Sequence, residues 1–129
     1  MQSKDFDMAK FIEFVADLVS KFDIFYEREV DAKYYFLHGG CYELYKVAKY
    51  YFPTCECAIR RDYKHCAIIY NDEIFDVTGK ILEVDQYKIA DTEDIRYMEN
   101  SFGLRIAELE EENIRNELEK CRVKGILYE

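Results

Sequence analysis

A chain of 129 residues, half of them hydrophobic and 16% aromatic, is long enough to bury a core without disulfide staples, which excludes a disordered polymer. A formal charge of −9 repels phosphate backbones, so no direct nucleic-acid binding is expected, while a basic protein partner is compatible with it. No apolar run approaches the ~20 residues of a membrane span, and Met1-Gln2-Ser3-Lys4-Asp5 lacks the pattern of an export signal, so five cysteines, an odd number, predict reduced thiols in the cytoplasm.

Phe11, Phe14, Val15, Leu18, Val19 and Phe22 fall at helical spacing and predict a first helix over about 5–22, capped by Ser3 or Asp5. The stretch 25–36 mixes charges around Arg28 with the β-prone run Tyr34-Tyr35-Phe36. Gly39 and Gly40 cannot continue regular structure cheaply, so a helix is expected to begin at Cys41, with Leu44, Val47, Ala48 and Tyr51 on one face and Pro53 as its stop. The period then changes. Cys55, Cys57 and Ile59 alternate along a half-buried strand, and His65 opens a second strand, Cys66–Tyr70, apolar enough to be central. Asn71-Asp72 is a tight-turn signal, with residues 73–78 returning and Gly79 ending the strand. From about Lys80 the pattern reads as helical again. Asp91, Thr92, Glu93 and Asp94 mark a helix start, and Phe102-Gly103 marks a break. Leu104, Ala107, Glu111, Ile114, Leu118 and Cys121 form one stripe of a last helix ended by Gly125, with Ile126-Leu127-Tyr128 as an edge strand or packed tail. The order predicts one α+β domain over 1–129, a short antiparallel sheet flanked by helices, with a core motif at 37–79 and C-terminal helices over 91–121.

Three residues carry the chemistry this layout allows. Cys41 sits at a predicted helix N-terminus, where unpaired N–H groups and the dipole favour thiolate and can receive an oxyanion. Gly40 lets a substrate backbone approach, and Tyr42 follows the thiol, so both are expected to contact substrate. His65 and His38 are the two histidines; His65 lies at a strand start and suits the base, while His38 belongs to the loop before the thiol. A two-residue turn at Asn71-Asp72 sets Asp76 opposite Ala67, which brings its carboxylate diagonally to His65 to orient the ring. Tyr35, His38 and Tyr42 are nearby candidates for an oxyanion donor, and spacing selects none of them.

Gly39-Gly40-Cys41-Tyr42, then His65 before an apolar strand, then Ile74-Phe75-Asp76-Val77-Thr78-Gly79, resembles the core of transglutaminase-like domains within the wider papain-like group, especially small bacterial and phage-borne members. The resemblance covers about 37–79. It implies a papain-like fold, Cys41 as nucleophile, His65 as base and Asp76 as orienter, acting on an amide or thioester of a protein or peptide substrate. The family's common Trp after the Cys is Tyr42 here.

Structural readings stand beside these. Cys41, His65 and Asp76 can serve as a buried thiol, a strand-start histidine and a strand-end carboxylate. Cys55-x-Cys57 has a one-residue gap that structural zinc seldom uses, so no metal and no cofactor is expected. Tyr34, Tyr35, Phe36, Tyr42, Tyr45, Tyr50, Tyr51 and Phe52 suit core and rim better than a cleft. Two function classes follow: a cysteine-nucleophile hydrolase or acyltransferase, or a catalytically silent acidic phage or mobile-element protein that binds and inhibits a host protein such as a defence nuclease.

Overall fold

The computed structural model describes residues 8–21, 32–37, 40–101 and 111–121. Several features expected from sequence lie outside them: the caps Ser3 and Asp5, Phe22, His38, Gly39, the Phe102-Gly103 break, Leu104, Ala107 and the segment after Cys121.

Helix α1 (Met8–Val19) buries Met8, Phe11, Ile12, Val15, Ala16 and Val19, the stripe a 3.6-residue repeat turns to one side. Helix α2 (Ala32–Leu37) corrects the β-prone reading of Tyr34-Tyr35-Phe36. Tyr35 and Phe36 are buried there, and burial against the other helices outweighs the weak strand propensity of aromatic residues. Helix α3 (Cys41–Tyr51) begins directly after Gly40. Phe52 caps its C-terminal end, where Lys49 Nζ donates to the carbonyls of Pro53 and Cys55 at 2.8 and 3.0 Å.

Five antiparallel strands follow: β1 (Glu56–Arg60), β2 (Cys66–Tyr70), β3 (Glu73–Asp76), β4 (Gly79–Lys80) and β5 (Tyr87–Ile89), in the spatial order β4-β3-β2-β1-β5. Asn71 and Asp72 both take positive φ, 52° and 66°, which is the demand of a two-residue hairpin turn. Ile69 therefore faces Ile74 and Ile68 faces Phe75, the register expected from the turn. Three expectations change. Strand β1 is buried at Cys57, Ala58 and Ile59 in succession, because both of its faces are covered. Gly79, at φ +112°, starts the return strand β4 rather than ending β3, which stops at Asp76. The segment after Lys80, read as helical, instead crosses the sheet through a 3₁₀ turn (Val84–Gln86) and supplies β5.

Cys57, Ile59 and Cys66 pack on one side of the sheet with Cys41, Tyr42 and Met98. Ala58 and Ala67 pack on the other with Ile81 and Tyr87 from the crossing segment. Helix α4 (Thr92–Ser101) opens with a reciprocal cap, Asp94 N–H to Asp91 Oδ1 at 2.9 Å and Asp91 N–H to Asp94 Oδ2 at 3.1 Å. Helix α5 (Glu111–Lys120) buries Ile114 and Leu118 beside α1 and α3. The buried Glu43 carboxylate of α3 accepts the N–H of Glu111 at 3.0 Å and so caps the positive end of α5. The arrangement is α+β, an antiparallel sheet with helices beside it. Among the described residues no helix is long and apolar enough to cross a membrane.

Candidate functional site

The start of α3, the start of β2 and the end of β3 meet at one place. Cys41 is the first residue of α3, and no side chain caps that helix. The amide N–H of Cys66 donates to Cys41 Sγ at 3.4 Å. His65 continues the β1–β2 ladder by accepting the N–H of Arg60 on its carbonyl at 2.8 Å, which fixes its backbone beside the sheet. Its Nε2 lies 2.9 Å from Asp76 Oδ2. The other oxygen of Asp76 accepts the Thr78 N–H at 2.8 Å and the Thr78 hydroxyl in a short bond. The three-residue turn Asp76-Val77-Thr78 thus holds the carboxylate still while it holds the ring. Tyr87 lies edge-on to the imidazole, with ring centroids 6.4 Å apart.

Nδ1 of His65 has no hydrogen-bond partner among the described residues. The neighbouring groups shift one another's ionisation. The Cys66 thiol lowers the Cys41 pKa most, burial opposes it, and the His65 imidazole and the Cys66 N–H add to the lowering, down to about 5. Burial alone would push the His65 imidazole down, but the Asp76 hydrogen bond and the negative charges of Cys41 and Asp76 outweigh burial and raise it to about 9. Burial opposes ionisation of Asp76 as well, yet His65 and Thr78 hold its carboxyl below the usual range. These directions favour a thiolate at Cys41 and an imidazolium at His65 beside an ionised Asp76.

Cys41, His65 and Asp76 are 3%, 3% and 7% exposed, so the series is screened from bulk water. Gly40 has a tighter reason to be glycine than substrate approach: a Cβ there would lie 2.0 Å from the Tyr35 ring. Tyr42 is buried, and its hydroxyl donates to Glu99 Oε2 at 3.0 Å, which ties α3 to α4. Cys55 and Cys57 are both buried thiols, and among the described residues no group of three or more histidine, cysteine or acidic side chains could hold a metal ion. Sequence reasoning missed Thr78, Cys66 and Tyr87. Asp76-x-Thr78 carried a readable turn signal, whereas Tyr87 is brought in by a strand that local pattern did not reveal.

No curated protein and no solved structure matches the chain. The family model for Phage YunG-like protein matches residues 18–119, well over half of it. That match overturns the resemblance to transglutaminase-like and papain-like domains. The resemblance rested on three short pieces between 37 and 79, each of a kind that unrelated helix-and-hairpin folds also place at a helix start or strand end. The chain belongs to the family of Phage YunG-like proteins.

Proposed function

We propose that Cys41 is a nucleophile toward an amide or thioester carbonyl of a protein or peptide, in a hydrolase or acyltransferase reaction. The observation that carries this reading is the His65 ring held by Asp76 at 2.9 Å, next in the chain to Cys66, whose N–H reaches the Cys41 sulfur at 3.4 Å. The thiolate adds to the carbonyl carbon, and the N–H groups at the start of α3, beside Gly40 and Tyr42, receive the oxyanion. His65 gives its proton to the departing amine or thiol and becomes neutral. Water or an amine then surrenders a proton to His65 as it attacks the acyl-cysteine, which frees Cys41. Asp76 keeps the ring oriented throughout. No cofactor enters the scheme, and the free thiol it requires suits a reducing cytoplasm.

The test is the pH dependence of Cys41 alkylation by a small reagent, chosen because the thiol is buried. The parent chain is expected to react along a curve with a midpoint near 5. His65→Ala is expected to move the midpoint toward the ordinary thiol value of ~8.5, and Asp76→Asn to move it part of the way. A midpoint near the ordinary value in all three proteins removes the enzyme reading.

Membership in a phage family, together with the charge of −9, favours a second reading in which the acidic surface binds a basic host protein and inhibits it. A host protein that co-purifies equally with the parent and Cys41→Ser, and that is released as salt rises, supports this binding role; release that salt does not affect counts against it.

A further inference from the structure

Cys41 is surrounded by other sulfur atoms. The Cys66 N–H reaches its Sγ at 3.4 Å, and both cysteines lie in one buried cluster. Cys57 lies diagonally from Cys66 on the neighbouring strand, since Cys57 faces Ile68 and Ile59 faces Cys66. The Cys57 Sγ is 4.0 Å from Met98 Sδ, and all four residues belong to one buried cluster. Acyl transfer passes through no bond to the Cys66 sulfur, so the chemistry of that reaction does not require a second thiol there. Two-electron redox chemistry does use a second thiol placed beside a reactive one.

We propose that Cys41 and Cys66 form a hydroperoxide-reducing pair that closes reversibly to a disulfide. The Cys41 thiolate attacks one oxygen of a hydroperoxide and the O–O bond breaks. The departing oxygen takes the proton of the His65 imidazolium and leaves as an alcohol, or as water when the oxidant is hydrogen peroxide. Cys41 is then a sulfenic acid, two electrons poorer, and the peroxide is reduced. The Cys66 sulfur attacks the Cys41 sulfur; the S–O bond breaks and the hydroxyl departs as water with the Cys66 proton. The sum is two thiols and one hydroperoxide giving one disulfide, one alcohol and one water. Burial, and then the neighbouring Cys41 anion, hold Cys66 as a neutral thiol. Conversion of Cys41 to the uncharged sulfenic acid removes that anion and eases loss of the Cys66 proton when it is needed.

The inference rests on the Cys41 thiolate of the proposed function and not on its acyl chemistry, and the test separates the two. The full chain is treated with one equivalent of hydrogen peroxide, blocked and digested with trypsin, while a reduced sample is alkylated at neutral pH. Cleavage after Lys33, Lys46, Lys64 and Lys80 puts Cys41 and Cys66 in separate peptides with one cysteine each. The expected product has lost about 2 Da, joins those two peptides and is reopened by a dithiol reductant. Cys66→Ala is expected to stop at the sulfenic or sulfinic acid on Cys41, and Cys57→Ala to cross-link as the parent does. If Cys41 alkylates in the reduced sample but oxidation yields sulfinic acid, or a link to Cys57 or Cys121, the pair is wrong while the nucleophile stands. If Cys41 neither alkylates nor oxidises, both readings fall.

Discussion

At Gly40 the polypeptide and an aromatic ring claim the same space. A methyl group on that residue would sit 2.0 Å from Tyr35 Cε2, far inside van der Waals contact. The ring is buried on the short helix α2, so relief must come from moving α2 or the start of α3. Gly40→Ala is expected to cost ~1–3 kcal/mol in urea unfolding, the range for overpacking a filled core. In a Tyr35→Ala background the same substitution is expected to cost much less, and an equal cost in both backgrounds would disprove the clash. The residue one step before the thiol is therefore fixed by packing. Its neighbour Tyr42 is likewise fixed by Glu99, so both residues flanking Cys41 restrain the helix start from which the sulfur projects.

Among the elements, the β2–β3 hairpin does most to build the site, because it delivers His65 from one arm and Asp76 from the other. Its turn keeps two non-glycine residues at positive φ, a conformation that costs an L-residue roughly 1–2 kcal/mol. Asp72→Gly is expected to raise stability by ~0.5–1 kcal/mol and leave Cys41 reactivity unchanged, as read by thermal unfolding and alkylation in parallel. This hairpin was legible in the sequence: Asn71-Asp72 between two apolar runs names the turn, the turn sets the register, and the register brings Asp76 to His65. The start of α3 was legible for a similar reason, since Gly-Gly before an apolar stripe leaves few alternatives. Helix α2 was not, because its six residues are too few for a 3.6-residue repeat to be seen and its aromatic side chains favour strands locally. Strands β4 and β5 have two and three residues and offer no period to read; they exist because β3 and β1 present open edges. The transglutaminase-like assignment failed for a related reason. A thiol at a helix start beside a histidine–aspartate hairpin is a local solution, and it does not identify the fold around it.

For the molecule as a whole, the site makes stability depend on pH in a window that can be worked out. A raised His65 contributes stability that is complete below about pH 6.5 and lost as pH rises toward about 9. A lowered Cys41 contributes stability that is complete above about pH 9 and lost as pH falls toward about 5. Between 6.5 and 9 the two slopes cancel, and between 5 and 6.5 only the Cys41 slope remains. Stability is expected to fall by at most about 2 kcal/mol as pH drops through that interval, one proton over about 1.5 pH units. Cys41→Ser is expected to lose this limb, and its persistence in the variant would assign it elsewhere. The lowered Asp76 adds an acid limb only below the ordinary carboxylate range, so the two are separable. A different property follows from how the sheet ends. Its two outer strands, Gly79–Lys80 and Tyr87–Ile89, are its shortest, and each carries a lysine at its margin. A foreign strand arriving at either border finds two or three residues of open backbone beside a positive charge, too little to template a ladder. Among the described residues, the borders of the sheet are thus built to resist pairing with a second copy.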